Sequence, residues 1–184
     1  DILKHADALI GAKRMLEIFK QEKKPCLISY KKEEIVAYIK ENPQYQSIAI
    51  CYSGDIGFYS GAKHIQDMLE GYEVVPVSGI SSVIYFLDKI GVSWEDVVFT
   101  SCHGRELDIT KILETGKRAC VLLGDGDSFH RLCEDVIAME GQSGYRMILG
   151  SRLSYEDEKI VMGCGKDFLM KELPPLSLVY IERG

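Results

Sequence analysis

Short apolar runs rich in Ile, Val and Leu alternate with helical segments along nearly the whole chain, and this alternation narrows the possible folds more than any other feature. Runs over 8–10, 25–29, 47–51 and 73–77 read as strands, and stretches over 12–20, 32–40, 60–69 and 81–90 as helices. A strand that is followed by a helix and a further strand returns to its sheet by a right-handed crossover, which predicts a parallel α/β sheet. Gly91-Val92-Ser93-Trp94 reads as a hinge dividing a domain over 1–92 from one over 93–184. The second half continues with strands at 97–101, 118–123, 145–149, 160–162 and 177–181, helices at 108–114, 128–139 and 167–171, and a break at Pro174-Pro175.

The remaining bulk properties mostly exclude. With 22 basic and 28 acidic residues the formal charge is −6, which disfavours broad attraction to nucleic acid or anionic membrane. The six cysteines (Cys26, Cys51, Cys102, Cys120, Cys133 and Cys164) show no zinc-ligand spacing and read as reduced thiols of a cytoplasmic protein. No apolar run reaches the ~20 residues that a membrane-spanning helix needs.

In a parallel sheet, ligands sit at the carboxyl ends of the strands, where glycines let a bound molecule approach the backbone. Two segments have that character, Ser53-Gly54-Asp55-Ile56-Gly57-Phe58-Tyr59 and Ser78-Gly79-Ile80-Ser81-Ser82. Neither is a phosphate loop, since GxxxxGK[ST] and GxGxxG are both missing. The first also reads as a plain strand-to-helix turn, and Ser81 or Ser82 as a helix cap.

At a third strand end, Thr100-Ser101-Cys102-His103-Gly104-Arg105 places a thiol beside an imidazole. Adjacent strand residues point to opposite faces, which argues against a Cys102–His103 nucleophile and base. Arg105 suits a carboxylate bidentately or serves as a surface charge, and His103 suits an anion or packs. Gly124-Asp125-Gly126-Asp127 lacks calcium-loop spacing and reads as a turn with a helix cap. The runs Lys31-Lys32-Glu33-Glu34 and Glu156-Asp157-Glu158-Lys159 read as solvated edges.

Taken together and in order, the Ser53–Tyr59, Val77–Ser82 and Cys102-His103-Gly104-Arg105 segments resemble the tetrapyrrole (precorrin) methyltransferases that build cobalamin. Gly11-Ala12-Lys13-Arg14, Tyr155-Glu156-Asp157-Glu158-Lys159-Ile160 and Pro175-Leu176-Ser177-Leu178 are most similar to the C5-methylating branch. The resemblance implies the tetrapyrrole methylase fold, two α/β domains with a cofactor cleft between them, and S-adenosylmethionine as the methyl donor. It implies cofactor contacts from Ser53, Gly54, Asp55, Phe58, Ser81 and Ser82, with Leu123 and Leu153 lining the rest of the pocket. His103 and Arg105 would serve the substrate, helped by Lys13, Arg14 and Arg152.

The activity implied is C5 methylation of a precorrin, cobalt-precorrin-7 or its metal-free equivalent, with any cobalt arriving in the substrate and no metal held by the protein. A homo-oligomer and a separate C15-methylating decarboxylase partner are implied as well. Family sequences carry proline where Ile56 stands, and open with a strand and a GxGPG-type loop that this sequence lacks before Asp1, so an N-terminal strand is expected to be missing. A same-fold methyltransferase with another acceptor, as in the diphthamide pathway, and a non-catalytic tetrapyrrole- or nucleoside-binding module are the alternatives.

Overall fold

The computed structural model describes residues 2–103, 107–139 and 144–184. The chain divides into two compact units, Asp1–Ser81 and Ser82–Gly184. Gly91–Trp94, read from sequence as the hinge, therefore lies inside the second unit.

The first unit begins with helix α1 (Ile2–His5), strand β1 (Ala8–Gly11) and helix α2 (Lys13–Leu16), then a 3-10 helix over Glu17–Glu22. Strand β2 (Cys26–Ile28), helix α3 (Lys32–Glu41), strand β3 (Ile48–Cys51) and helix α4 (Ala62–Gln66) follow. The three strands form a wholly parallel sheet in the order β2-β1-β3. All four residues of β1 are buried, as a central parallel strand covered on both faces requires. Its alternation sorts two cores: Ile10 packs with Ile35, Val36 and Ile39 of α3, whereas Leu9 packs with Ala6 and Leu16. Helix α3 carries Glu33 and Glu34 in its first turn and Lys40 in its last, matching the helix dipole.

The strand expected at 73–77 is not formed, and no strand occurs there among the described residues. Apolar alternation alone does not make a strand, because each backbone group needs a partner. Val75, Val77 and Ile80 remain largely exposed, at 67%, 53% and 76%.

The second unit runs through helix α5 (Ser82–Lys89), strand β4 (Val97–Ser101), helix α6 (Ile109–Glu114), strand β5 (Arg118–Leu122) and helix α7 (Gly126–Ala138). Strands β6 (Tyr145–Ser151) and β7 (Lys159–Gly163), helix α8 (Gly165–Leu169) and strand β8 (Ser177–Arg183) complete it. Its sheet order is β4-β5-β8-β6-β7, and only the β4–β5 pair is parallel. The parallel sheet expected from the first half's alternation is thus found in the first unit, whereas in the second β6 and β7 are antiparallel neighbours joined by a seven-residue turn, 152–158.

Register explains how this sheet is covered. Val121, Val179 and Leu149 align on the face that packs Ile109, Leu113, Phe129, Leu132, Val136 and Phe168 from α6, α7 and α8. Cys120, Tyr180 and Ile148 align on the other face, as do Leu178 and Gly150. There, a Cβ added at Gly150 would lie 2.7 Å from Cε2 of Phe86, so α5 covers the second face.

Candidate functional site

In the first unit β1 and β3 run parallel with Gly11 opposite Cys51, so the segments after them emerge at the same end of the sheet. Ala12, Lys13 and Arg14 follow one strand, and Tyr52, Ser53 and Gly54 the other; Lys13, Arg14 and Ser53 are exposed. The turn after β3 is tightly built. Gly54 has φ +71°, a value that glycine adopts without strain, and Tyr59 is also left-handed at +49°. Asp55 Oδ1 accepts from the Gly57 N–H at 2.7 Å and the Asp55 carbonyl from Phe58 N at 3.2 Å. The rings of Phe58 and Tyr59 meet edge to face at 4.8 Å.

The Gly79 segment reaches the same turn. A Cβ built on Gly79 would lie 2.4 Å from the Gly54 carbonyl oxygen, so the two glycine segments are in backbone contact and Gly79 has no room for a side chain. The structure therefore brings together the two segments singled out by sequence. The Tyr52 hydroxyl, one residue before Ser53, is buried without a hydrogen-bond partner among the described residues, and burial pushes its pKa up. Ser81 is buried at the end of this unit, while Ser82 is exposed and begins α5 in the next.

In the second unit the ends of β4 and β5 are adjacent. Cys102 N donates to the Leu122 carbonyl at 2.9 Å, and His103 N donates to Ser101 Oγ at 3.1 Å. Gly124 faces His103 so closely that an added Cβ would lie 3.0 Å from its Cα. Leu123 is buried and donates through its N–H to the Ser177 carbonyl at 3.1 Å. Asp125 Oδ1 accepts from Ser128 N at 2.7 Å, so Gly124–Asp127 is a turn with a helix cap, as expected. His103 is exposed; Arg105 lies outside the described residues.

Cys102 is 3% exposed, and burial pushes its thiol up to about 11. A neutral, buried thiol is a poor nucleophile. Arg152, expected to face substrate carboxylates, instead pairs with Asp157 and lies over the Tyr155 ring, 4.9 Å from its centroid. Leu153 is buried in the same turn, between left-handed Arg152 (φ +47°) and Ser154 (φ +66°).

The run 156–159 is the solvated edge read from sequence at Glu156, Asp157 and Lys159, which are exposed, but not at Glu158, which is half-buried. Glu158 Oε2 accepts from Tyr85 Oη at 2.8 Å and from Ser154 N at 2.7 Å, and its other oxygen lies 3.3 Å from Lys89 Nζ. The Ser154 N–H and the Tyr85 hydroxyl hold this carboxyl below its ordinary pKa. Sequence could not single it out, because Tyr85 is 73 residues away. Gly79 lies in one of the two glycine segments legible in the sequence, but only the geometry shows its contact with Gly54. No cluster of three or more metal-ligating side chains, and no helix long and apolar enough to cross a membrane, occurs among the described residues.

The fold of these two α/β units has a solved counterpart. Uroporphyrin-III C-methyl transferase of Thermus thermophilus, complexed with S-adenosyl homocysteine, matches with a TM-score of 0.79 at 15% identity, over 98% of this chain and 87% of that one. The chain belongs to the Tetrapyrrole (Corrin/Porphyrin) Methylases, which it matches over residues 1–167, and is accordingly a methyltransferase. It is 27% identical to the probable cobalt-precorrin-7 C(5)-methyltransferase of Methanocaldococcus jannaschii over 98% of this chain and 88% of that protein. Its identity to the cobalt-precorrin-7 C(5)-methyltransferase of Salmonella typhimurium is also 27%, over 87% and 79% respectively.

Proposed function

We propose that the chain transfers the methyl group of S-adenosylmethionine to C5 of a precorrin, cobalt-precorrin-7 or its metal-free equivalent, in cobalamin biosynthesis. What carries this reading is the pair of curated relatives with that activity in their names, each matched over most of its length. The first unit's turns fit the donor. Gly79 meets Gly54 backbone to backbone, and the buried hydroxyl of Tyr52, the residue before Ser53, has no hydrogen-bond partner among the described residues. Ser53, Asp55 and Phe58 would complete the donor contacts from this unit with Ser81, and Ser82, Leu123 and Leu153 would supply those of the second.

When bound, S-adenosylmethionine supplies an electrophilic methyl on a sulfonium. The electron-rich C5 of the acceptor forms the new C–C bond as the S–C bond breaks, S-adenosylhomocysteine departs and a proton is lost to solvent. The protein needs no nucleophile for this, and Cys102 is not built to be one. Its contribution is near-attack geometry, worth up to ~7–11 kcal/mol where two reactants are well aligned. Precorrin carboxylates require local positive charge on a chain of net −6. Lys13 and Arg14 at the carboxyl end of β1, with His103 and Arg105 after β4, would provide it.

A homo-oligomer, a partner that carries out C15 methylation with decarboxylation, and a cytoplasmic setting complete the proposal; six cysteines, all free among the described residues, accord with a reducing compartment. The test is incubation with methyl-labelled S-adenosylmethionine and cobalt-precorrin-7. One labelled methyl at C5 is expected. Binding of S-adenosylhomocysteine with no transfer to any precorrin would instead indicate a binding module, and label on a protein histidine another acceptor.

A further inference from the structure

Helix α5 begins at Ser82, and the turn between β6 and β7 carries Leu153, two residues far apart in sequence that the proposed donor site requires together. Two structural links join these elements. One is apolar: Phe86 of α5 lies over Gly150, where an added Cβ would also meet Leu153 Cδ2 at 3.2 Å. The other is Glu158, whose single carboxylate takes the Tyr85 hydroxyl, the Ser154 backbone N–H and the Lys89 ammonium, with Lys89 Nζ also 5.4 Å from the centre of the Tyr85 ring. The Glu158 side chain is only 19% exposed, against 46% for Lys89.

The turn that Glu158 holds is an unusual one. Leu153 is flanked by two left-handed, non-glycine residues, a conformation that needs external support to persist. Ser154 N, bound by Glu158, belongs to one of those two residues, and Arg152, the other, is fixed by its N–H to the Leu176 carbonyl at 3.2 Å and by Asp157. The carboxylate thus stabilises the conformation that aims Leu153 and, through Tyr85 and Lys89, the helix that starts with Ser82.

We propose that Glu158 is a positioning residue for the methyl-donor site, locking α5 to the β6–β7 turn so that Ser82 and Leu153 keep a fixed relation. This rests on the donor-site assignment made above. Glu158 touches neither donor nor acceptor; it acts through Leu153 and α5. Supporting groups of this kind hold functional residues to within ~0.5 Å of their working geometry.

Calorimetric titration of S-adenosylhomocysteine into the whole chain tests the proposal. Glu158→Ala is expected to weaken binding about ten-fold, and Glu158→Gln, which keeps two acceptor sites and loses the charge, by about three-fold or less. Arg146→Ala, which breaks the remote Arg146–Glu182 pair, serves as the control for general destabilisation and is expected to leave the dissociation constant unchanged. In turnover, Glu158→Ala should raise KM for S-adenosylmethionine with little change in KM for the precorrin.

Unaltered affinity in a folded Glu158→Ala, or an equal loss in Arg146→Ala, would overturn the proposal. Should Glu158→Ala not fold, Tyr85→Phe deletes one of the three bonds and is expected to weaken binding about three-fold, and an unchanged constant there would overturn it as well. Failure of the unmutated chain to bind S-adenosylhomocysteine would overturn the donor-site assignment, and this proposal with it, before any variant is compared.

Discussion

Replacing Gly79 with alanine adds one methyl group at the point where two backbone segments meet. The new Cβ would sit 2.4 Å from the Gly54 carbonyl oxygen and 3.2 Å from its carbonyl carbon, against the 3.4–4 Å of ordinary contact. About 1 Å of separation is therefore needed. The obstacle is backbone and not the free end of a flexible side chain, and Gly54 is itself fixed at φ +71°, so the turn after β3 must move as a body. Overpacking of this kind costs about 1–3 kcal/mol. Urea unfolding should show that loss for Gly79→Ala.

Separation of the two segments also spreads the surface proposed to hold the donor, and S-adenosylhomocysteine affinity measured by calorimetry should fall about ten-fold or more, ~1.4 kcal/mol per factor of ten. Gly126→Ala is the matched control, because among the described residues nothing lies within 4 Å of a Cβ added there. It should be neutral in both assays. If Gly79→Ala keeps its stability and its affinity, the backbone contact between the two glycine segments is not what shapes the site.

Three further outcomes are expected. Cys102→Ser should keep most of its turnover, and the native thiol, pushed up to about 11 by burial, should alkylate slowly with iodoacetamide at neutral pH; rapid, activity-linked alkylation would contradict this. Asp108 caps α6, and its bonds to Thr110 and Lys111 hold its carboxyl near 2 against an ordinary 3.8. Since the folded value is the lower one, its stabilising contribution is complete above about 3.8 and disappears as pH falls toward about 2, so melting temperature in that window should fall less for Asp108→Asn. Arg105→Ala should weaken precorrin binding by about 1–3 kcal/mol while leaving S-adenosylhomocysteine binding unchanged, and the opposite pattern would reassign Arg105 to the donor.

Local signals made much of this fold legible in the sequence. Strand and helix alternate in the first unit with the spacing of a parallel sheet, and β1 is buried on both faces as its unbroken apolar run implies. The misjudged elements are those whose outcome depends on a distant partner. Val74, Val75 and Val77 have the composition of a strand, but no described strand pairs with them. The antiparallel pairing of β6 with β7 and β8 cannot be told from parallel pairing by apolar content, because both place alternate residues on opposite faces. For the site, glycine content pointed to the turns at 54 and 79 but not to their contact across 25 positions. Glu158 read as one charge in an acidic run until the fold brought Tyr85 and Lys89 to it.

The central place of β8 governs when the second unit can form during synthesis. Strand β8 lies between β5 and β6, pairing Ala119 with Ile181 and Met147 with the same Ile181, yet it is made after both of them. About 55 residues separate the end of β5 from the start of β8, so at ~5–20 residues per second β5 waits roughly 3–11 s for its neighbour. During that interval the β4–β5 pair, joined once residue 163 is made by a separate β6–β7 hairpin, has an open edge able to recruit a strand from another nascent chain. In the first unit the delay between described neighbours is shorter, because β1, β2 and β3 all lie within residues 8–51. The hazard in producing this protein is therefore concentrated in its second half, and a chaperone that shields open sheet edges should raise the yield of folded chain most when present before β8 emerges.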